Sequence, residues 1–173
     1  MRCFIAVEIP EEIQKKFNPL YEELKLKHLK AINPKDLHIT LKFLDEVSEK
    51  TAVRVQQELQ TISFKPFSVS LKGIECFPNR RNPKVLWVGC DSPGLKSLSQ
   101  QINELLKKEF KKEDFTAHLT IARIKEKVDL KGFIEKYNSL DFGTFICKSF
   151  EVKQSVLLLT GPEYSNLKKF HAV

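Results

Sequence analysis

The sequence predicts an α+β fold of two lobes related by a pseudo-twofold axis, each an antiparallel sheet with helices packed outside it, with a central cleft between them. Three observations lead there. One order of elements (strand, helix, strand, helix, strand) runs twice along the 173 residues, over approximately 1–77 and 84–152. The tripeptide form His-x-Thr falls at the same place in each copy, as HIT at 38–40 and HLT at 118–120, in a chain with four histidines. Only the short PNRRNP separates the copies, so residues 1–173 are expected to form a single bilobal domain.

In the first copy, CFIAVEI (3–9) is a short apolar run of the buried-strand type. Pro10 then opens a helical stretch with Ile13, Phe17, Leu20, Tyr21 and Leu24 at helical spacing, which Pro19 is expected to kink or split. LHITLKFL (37–44) is the next strand. Ser48 is an N-cap for a helix whose apolar face is Ala52, Val55, Leu59 and Ile62. FSVSLKGIECF (67–77) closes the copy as a strand.

The second copy opens with the strand VLWVGC (85–90). Ser92 followed by Pro93 signals a helix start, and Leu95, Leu98, Ile102, Leu105, Leu106 and Phe110 line one side of that helix. AHLTIARI (117–124) is a strand. Asp129 is expected to cap a short helix bearing Leu130, Phe133, Ile134 and Tyr137. FGTFICKSFEV (142–152) and SVLLLT (155–160) complete the copy as two successive strands.

Composition is that of an ordinary globular chain, 42% hydrophobic and 29% charged, with no apolar run near the roughly 20 residues a membrane helix needs. The start MRCFIAVEIP turns acidic too soon for a signal peptide, so a cytoplasmic location is expected. Cys3, Cys76, Cys90 and Cys147 are scattered, with no CxxC, and read as reduced residues; no metal site and no cofactor is expected. The net charge of +7 favours a polyanionic partner. KLKHLK (25–30) and KKEFKK (107–112) read as solvated faces. NRRNPK (79–84) lies between two strands, and Arg80 and Arg81 are candidate contacts to phosphate. His28 and His171 stand outside any motif and read as surface or structural residues.

In a strand, His38 and Thr40 point to one side, as do His118 and Thr120. If the two strands line one cleft, the site holds two imidazoles and two hydroxyls with no carboxylate cluster beside them. That set suits cleavage of a phosphodiester. One imidazole near pKa 6.5 takes a proton from the nucleophile, the other gives one to the leaving oxygen, and the hydroxyls hold the phosphate between them.

HITLKF with HLTIAR resembles the paired signature of the two-histidine phosphoesterase superfamily, and the flanks RCFIAVEIP, PKVLWVG and LLLTGPEYSNLKKF resemble its RNA 2′,3′-cyclic phosphodiesterase branch, historically called 2′-5′ RNA ligases. The resemblance implies a bilobal fold and metal-independent hydrolysis of 2′,3′-cyclic phosphate RNA ends to 2′-phosphates, with reversible 2′-5′ joining at the same site. It implies His38 as proton donor and His118 as acceptor, although the residues themselves favour neither direction. It also implies that Phe43 contacts a base and Arg123 the phosphate. Strict alternation points both away from the histidines, so they reach the site only where each strand twists, bulges or ends.

By the same alternation Lys42 lies on the histidine face as a candidate phosphate contact, while Trp87 reads as core or cleft wall. A monomer is expected, with tRNA fragments among the RNAs that fit. Two other readings stand beside this one: a phosphodiesterase for a small cyclic nucleotide such as an ADP-ribose cyclic phosphate, and a non-catalytic binder of RNA ends. An energy-coupled ligase is disfavoured because no GxxxxGK[ST] loop is present.

Overall fold

Ser48 and Ser92 begin helices as their sequence context requires. The Ser48 hydroxyl accepts from the Thr51 N–H at 3.1 Å and the Ser92 hydroxyl from the Leu95 N–H at 3.2 Å, each stabilising its helix by about 1 kcal/mol. The computed structural model describes residues 1–173. In it β1 (Arg2–Glu8) leads into a helix broken in three parts, α1 (Glu11–Gln14), a 3₁₀ turn (Lys15–Phe17) and α2 (Asn18–Leu26), with Pro19 in the first turn of α2. β2 (His38–Glu46), α3 (Glu49–Leu59), β3 (Phe67–Phe77), β4 (Val85–Asp91), α4 (Pro93–Leu106) and β5 (His118–Arg123) follow. The chain ends with α5 (Lys131–Tyr137), β6 (Asp141–Cys147), β7 (Ser149–Leu158) and β8 (Gly161–His171).

Two four-stranded antiparallel sheets result, in the orders β2-β1-β7-β8 and β5-β4-β3-β6. The fold is α+β, and each His-x-Thr strand is the edge strand of its own sheet, next to the strand that opens its half. The sheets do not follow the halves of the chain throughout. β3 closes the first half yet pairs with β4, and β7 follows the second half yet pairs with β1. Each sheet is therefore completed by strands from elsewhere in the chain. One cluster of 39 buried residues draws from both sheets and from the helices, stacking Phe17 of the 3₁₀ turn on Phe142 of β6 at 4.6 Å.

Four details correct the reading from sequence. FGTFICKSFEV is two strands, not one: Lys148 is the joint, and β6 and β7 lie in different sheets. SVLLLT continues β7 and turns into β8, so His171 ends a strand, paired with Ser149. Ile62 lies beyond the end of α3 and Phe110 beyond the end of α4, both half-buried. The cap position of α5 is Leu130, while the Asp129 carboxylate accepts from the Lys131 N–H in the turn before the helix. In β3, Gly73 has φ +74 at a break in register with β4, and a Cβ there would sit 2.4 Å from the Asn138 carbonyl oxygen, so only glycine fits. The four cysteines are free, and no helix is long and apolar enough to cross a membrane.

Candidate active site

Both histidine strands break alternation at the same step. In β2, Thr40 pairs with Ala6 and Lys42 with Ile5, which leaves Leu41 as an extra residue. In β5, Thr120 pairs with Trp87 and Ala122 with Leu86, which leaves Ile121 extra. Each is a β-bulge, which resets the faces of the residues after it. Ile39, Leu41, Lys42 and Leu44 are buried, while His38, Thr40 and Phe43 open to the other side. Leu119, Ile121 and Ala122 are buried, while His118, Thr120 and Arg123 open to the other side. The bulges thus carry Phe43 and Arg123 onto the histidine face.

The carbonyl of each extra residue finds a partner outside its own sheet. The Ser99 hydroxyl of α4 donates to the Leu41 oxygen at 3.3 Å. The Ile32 N–H, in the segment before β2, donates to the Ile121 oxygen at 2.8 Å, and the adjacent Ala31 bridges to Ala122. This second contact ties the lead-in of one histidine strand to the other histidine strand.

The bulge also overturns the expectation for Lys42. It turns the side chain into the core, where it is 2% exposed and its ammonium donates to Asn103 Oδ1 and the Lys111 carbonyl, both at 2.8 Å. Burial lowers its pKa. Lys42 is a structural cation and does not reach the cleft.

The two imidazoles are oriented by the same contact. His38 Nδ1 lies 2.7 Å from the Asp36 carbonyl and His118 Nδ1 2.8 Å from the Thr116 carbonyl, each two residues back. A carbonyl only accepts, so Nδ1 carries hydrogen in both rings and Nε2 is the nitrogen free to exchange a proton. Each ring is also flanked by two aromatics. Phe4 and Tyr164 lie 4.9 and 5.4 Å from His38, and Phe77 and Trp87 lie 5.8 and 6.3 Å from His118.

A cavity of about 160 Å³ brings together His38, Thr40 and Phe43 from β2 with His118, Thr120 and Arg123 from β5. Arg2, Cys3, Phe4, Ile32, Ser155 and Tyr164 complete its wall. Burial lowers the pKa of His38; the charges of Lys153 and Arg123 act in the same direction, against the Asp36 carbonyl and carboxylate. Burial raises that of the Tyr164 hydroxyl, while Arg123 opposes the rise. Arg123 therefore acts on both groups from the opposite wall.

Arg80 and Arg81 do not line this cavity. They lie in a second, larger hollow with Lys127, Val128, Asp129 and Lys131, where the Arg80 guanidinium grips the Glu75 carboxylate through two bonds of 3.0 and 2.8 Å. Trp87 is half-buried beside His118 and does not line the cavity. Reading the sequence missed Phe4, Ser155 and Tyr164. The signal for the last two was the turn at Gly161, φ +125, between two extended runs, which marks a β7–β8 hairpin returning past the site. It also missed Ser99 and Asn103, polar residues one turn apart within the buried face of α4.

Paired imidazoles with free Nε2 atoms, two hydroxyls and a guanidinium around a small cleft are the equipment of phosphoester chemistry. Residues 7–87 match the family described as LigT like Phosphoesterase. A protein of Archaeoglobus fulgidus named RNA 2′,3′-cyclic phosphodiesterase is 39% identical over 175 residues, covering 98% of this chain and 99% of the relative. One of the same name from Methanocaldococcus jannaschii is 37% identical, covering 98% and 100%. A crystal structure of a Thermus thermophilus protein superposes with a TM-score of 0.84 at 25% identity, covering 99% of this chain and 97% of that one. The chain belongs to the LigT-like phosphoesterase family.

Proposed function

We propose that this protein is an RNA 2′,3′-cyclic phosphodiesterase that leaves a 2′-phosphate, by two-histidine acid–base catalysis without a metal ion. The carrying observation is the twinned imidazole geometry. Both rings present Nε2 while a backbone carbonyl holds Nδ1, and both line the cavity that Thr40, Thr120 and Arg123 also line. The names of the archaeal relatives support the substrate.

In the proposed reaction water attacks phosphorus and its proton passes to one neutral Nε2. The bond from phosphorus to the 3′ oxygen breaks, and the other, charged imidazole protonates that oxygen. Thr40, Thr120 and Arg123 hold the non-bridging oxygens as negative charge builds on them. His38 is the donor and His118 the acceptor, the direction that the family resemblance implies. With the 5′-hydroxyl of a second RNA end attacking in place of water, the same steps form a 2′-5′ linkage, and their reversal cleaves it.

The test uses an oligoribonucleotide with a 2′,3′-cyclic phosphate end, incubated in EDTA, with the product followed by phosphorus NMR. A 2′-phosphate is expected at an undiminished rate. A requirement for added divalent metal, or a 3′-phosphate product, overturns the reading.

A further inference from the structure

The face of the second sheet that carries His118 continues outward from the cavity. In β5 it presents His118, Thr120 and Arg123; in β4 their partners Gly89, Trp87 and Val85; in β3 Glu75 and Phe77, which pair with Trp87 and Val85. Phe77 is 39% exposed, lies 5.8 Å from the His118 ring, and is backed by Trp87, stacked at 4.9 Å and 22°. Such a ring, held rigidly with one face to solvent, is a platform for a nucleobase.

Beyond Phe77 the chain enters the 78–84 loop, whose far end is tied to β5: the Lys84 N–H donates to the Phe77 carbonyl at 2.7 Å and the Ile124 N–H to the Lys84 carbonyl at 2.8 Å. This loop and the segment after Arg123 form the second hollow, about 510 Å³ in volume. Its charges are unequal in kind. Arg80 is held by Glu75, so it shapes the wall and carries little free charge. The Asp129 carboxylate turns back to the Lys131 N–H. Arg81, Lys127 and Lys131 are exposed and enter no ion pair, which leaves three cations around a hollow with one carboxylate.

Resting on the function proposed above, we propose that Phe77 and this hollow form a track for single-stranded RNA upstream of the cyclic end. The base next to the terminal nucleotide stacks on Phe77, and preceding phosphates are held by Arg81, Lys127 and Lys131. An RNA with a 2′,3′-cyclic end continues only from the 5′ side of its last nucleoside, so an exit over one wall suffices. The wall beside His38 lacks such a set of free cations: the Lys153 ammonium is occupied by Glu8 and Asn166 at 2.6 Å each and Arg2 pairs with Asp45 at 3.8 Å, while Phe4 and Tyr164 close on the ring and the exposed Phe43 lines the cavity itself. The track makes the protein an enzyme for RNA ends in preference to small cyclic nucleotides.

The experiment compares kcat/KM on a 2′,3′-cyclic mononucleotide with that on a single-stranded oligomer of the same 3′ end. Wild type is expected to favour the oligomer by about 30-fold or more at low salt. Replacing Arg81, Lys127 and Lys131 together with alanine should remove about 10-fold of that advantage and leave the mononucleotide rate unchanged. The slope of log affinity against log salt should flatten by about 2, from three phosphates at about 0.7 each. Phe77→Leu, which keeps apolar packing on Trp87, should cost the oligomer about 5-fold to 10-fold more than the mononucleotide, and Phe77→Tyr should restore it. Equal wild-type rates on both substrates, or an equal loss on both in the triple variant, overturn the track and leave the proposed function standing. If no cyclic phosphate of any length is opened, the function itself fails. Fluorescence anisotropy with a 3′-phosphate oligomer then tests the track alone, and equal affinity of wild type and triple variant overturns it.

Discussion

β2 and β5 carry one device, a bulge three residues after the histidine, and secure it by different means. In β2 the Leu41 carbonyl is taken by a side chain, Ser99, and Lys42 is anchored by Asn103. In β5 the Ile121 carbonyl is taken by a backbone N–H, that of Ile32, and the residue matching Lys42 is Ala122, which needs no partner. The walls differ as well. His38 sits between Phe4 and Tyr164 with the Lys153–Glu8 pair behind, whereas His118 adjoins the partly exposed Phe77. The comparison teaches that a shared strand geometry does not require shared support: one strand depends on substitutable side chains, the other on backbone.

The largest effects test whether the two strands serve one transition state. His38→Ala and His118→Ala should each lower kcat by about 100-fold to 10,000-fold, the range for losing a general acid or base. In the double variant the losses should not multiply, because the residues act as a unit. Near-full activity in either single variant, measured on the cyclic oligomer, removes the mechanism.

Thr40→Ala and Thr120→Ala come next, at about 10-fold to 100-fold in kcat, or about 1.4 to 2.7 kcal/mol. In the proposed reaction water and Arg123 would replace part of what a hydroxyl contributes, whereas no other imidazole lines the cavity. Arg123 lies on β5 and lines the cavity with both threonines. A threonine loss as large as a histidine loss would show that the hydroxyls are not interchangeable with water.

Stability separates the two bulges. Asn103→Ala leaves the buried Lys42 ammonium with the Lys111 carbonyl alone, and should cost about 2–3 kcal/mol in urea unfolding, the worth of a hydrogen bond to a charge. Ser99→Ala should cost about 1 kcal/mol and lower activity with it, since it loosens the turn that places Phe43. The β5 bulge offers no equivalent side chain to remove. Full stability in Asn103→Ala would mean that Lys42 is held otherwise.

The smallest effect is in pH. Burial holds the His38 pKa below its ordinary value of about 6.5, so with His38 as the proposed donor the free protein loses the protonated donor early as pH rises. With His38 setting the basic limb, that limb of kcat/KM should lie at lower pH than that of kcat, which is read in the complex with an anionic phosphate. His38→Ala should abolish this basic limb; loss of the acidic limb instead would reverse donor and acceptor. Stability obeys the same sign. The unfolded chain binds this proton first, so folding weakens as pH drops from about 6.5 toward the lowered value, and His38→Gln should flatten that decline.

What was legible in the sequence follows from local rules. Helix starts at Ser48 and Ser92, the break near Pro19 and the strands around both motifs depend on nearest neighbours and periodicity, and all are present. So is the sharing of one side by His38 with Thr40, because alternation over two residues needs no partner strand. The condition under which Phe43 and Arg123 join them, a bulge, is legible too. Whether one occurs depends on the register with β1 and β4 and on carbonyl partners from α4 and the segment before β2. Lys42 was misplaced for that reason, and Tyr164 overlooked because it comes from β8, last in the chain and three strands away in the sheet.

The sequence by itself determined the chemical groups, their spacing within each strand and the class of fold, since these follow from side-chain chemistry and local backbone preference. Only the tertiary structure decided which residues beyond the first three of each motif face the cavity, which wall is closed and which is open. Those outcomes depend on hydrogen bonds between residues 58 and 89 positions apart, Leu41 with Ser99 and Ile32 with Ile121, and no local rule carries information over such separations.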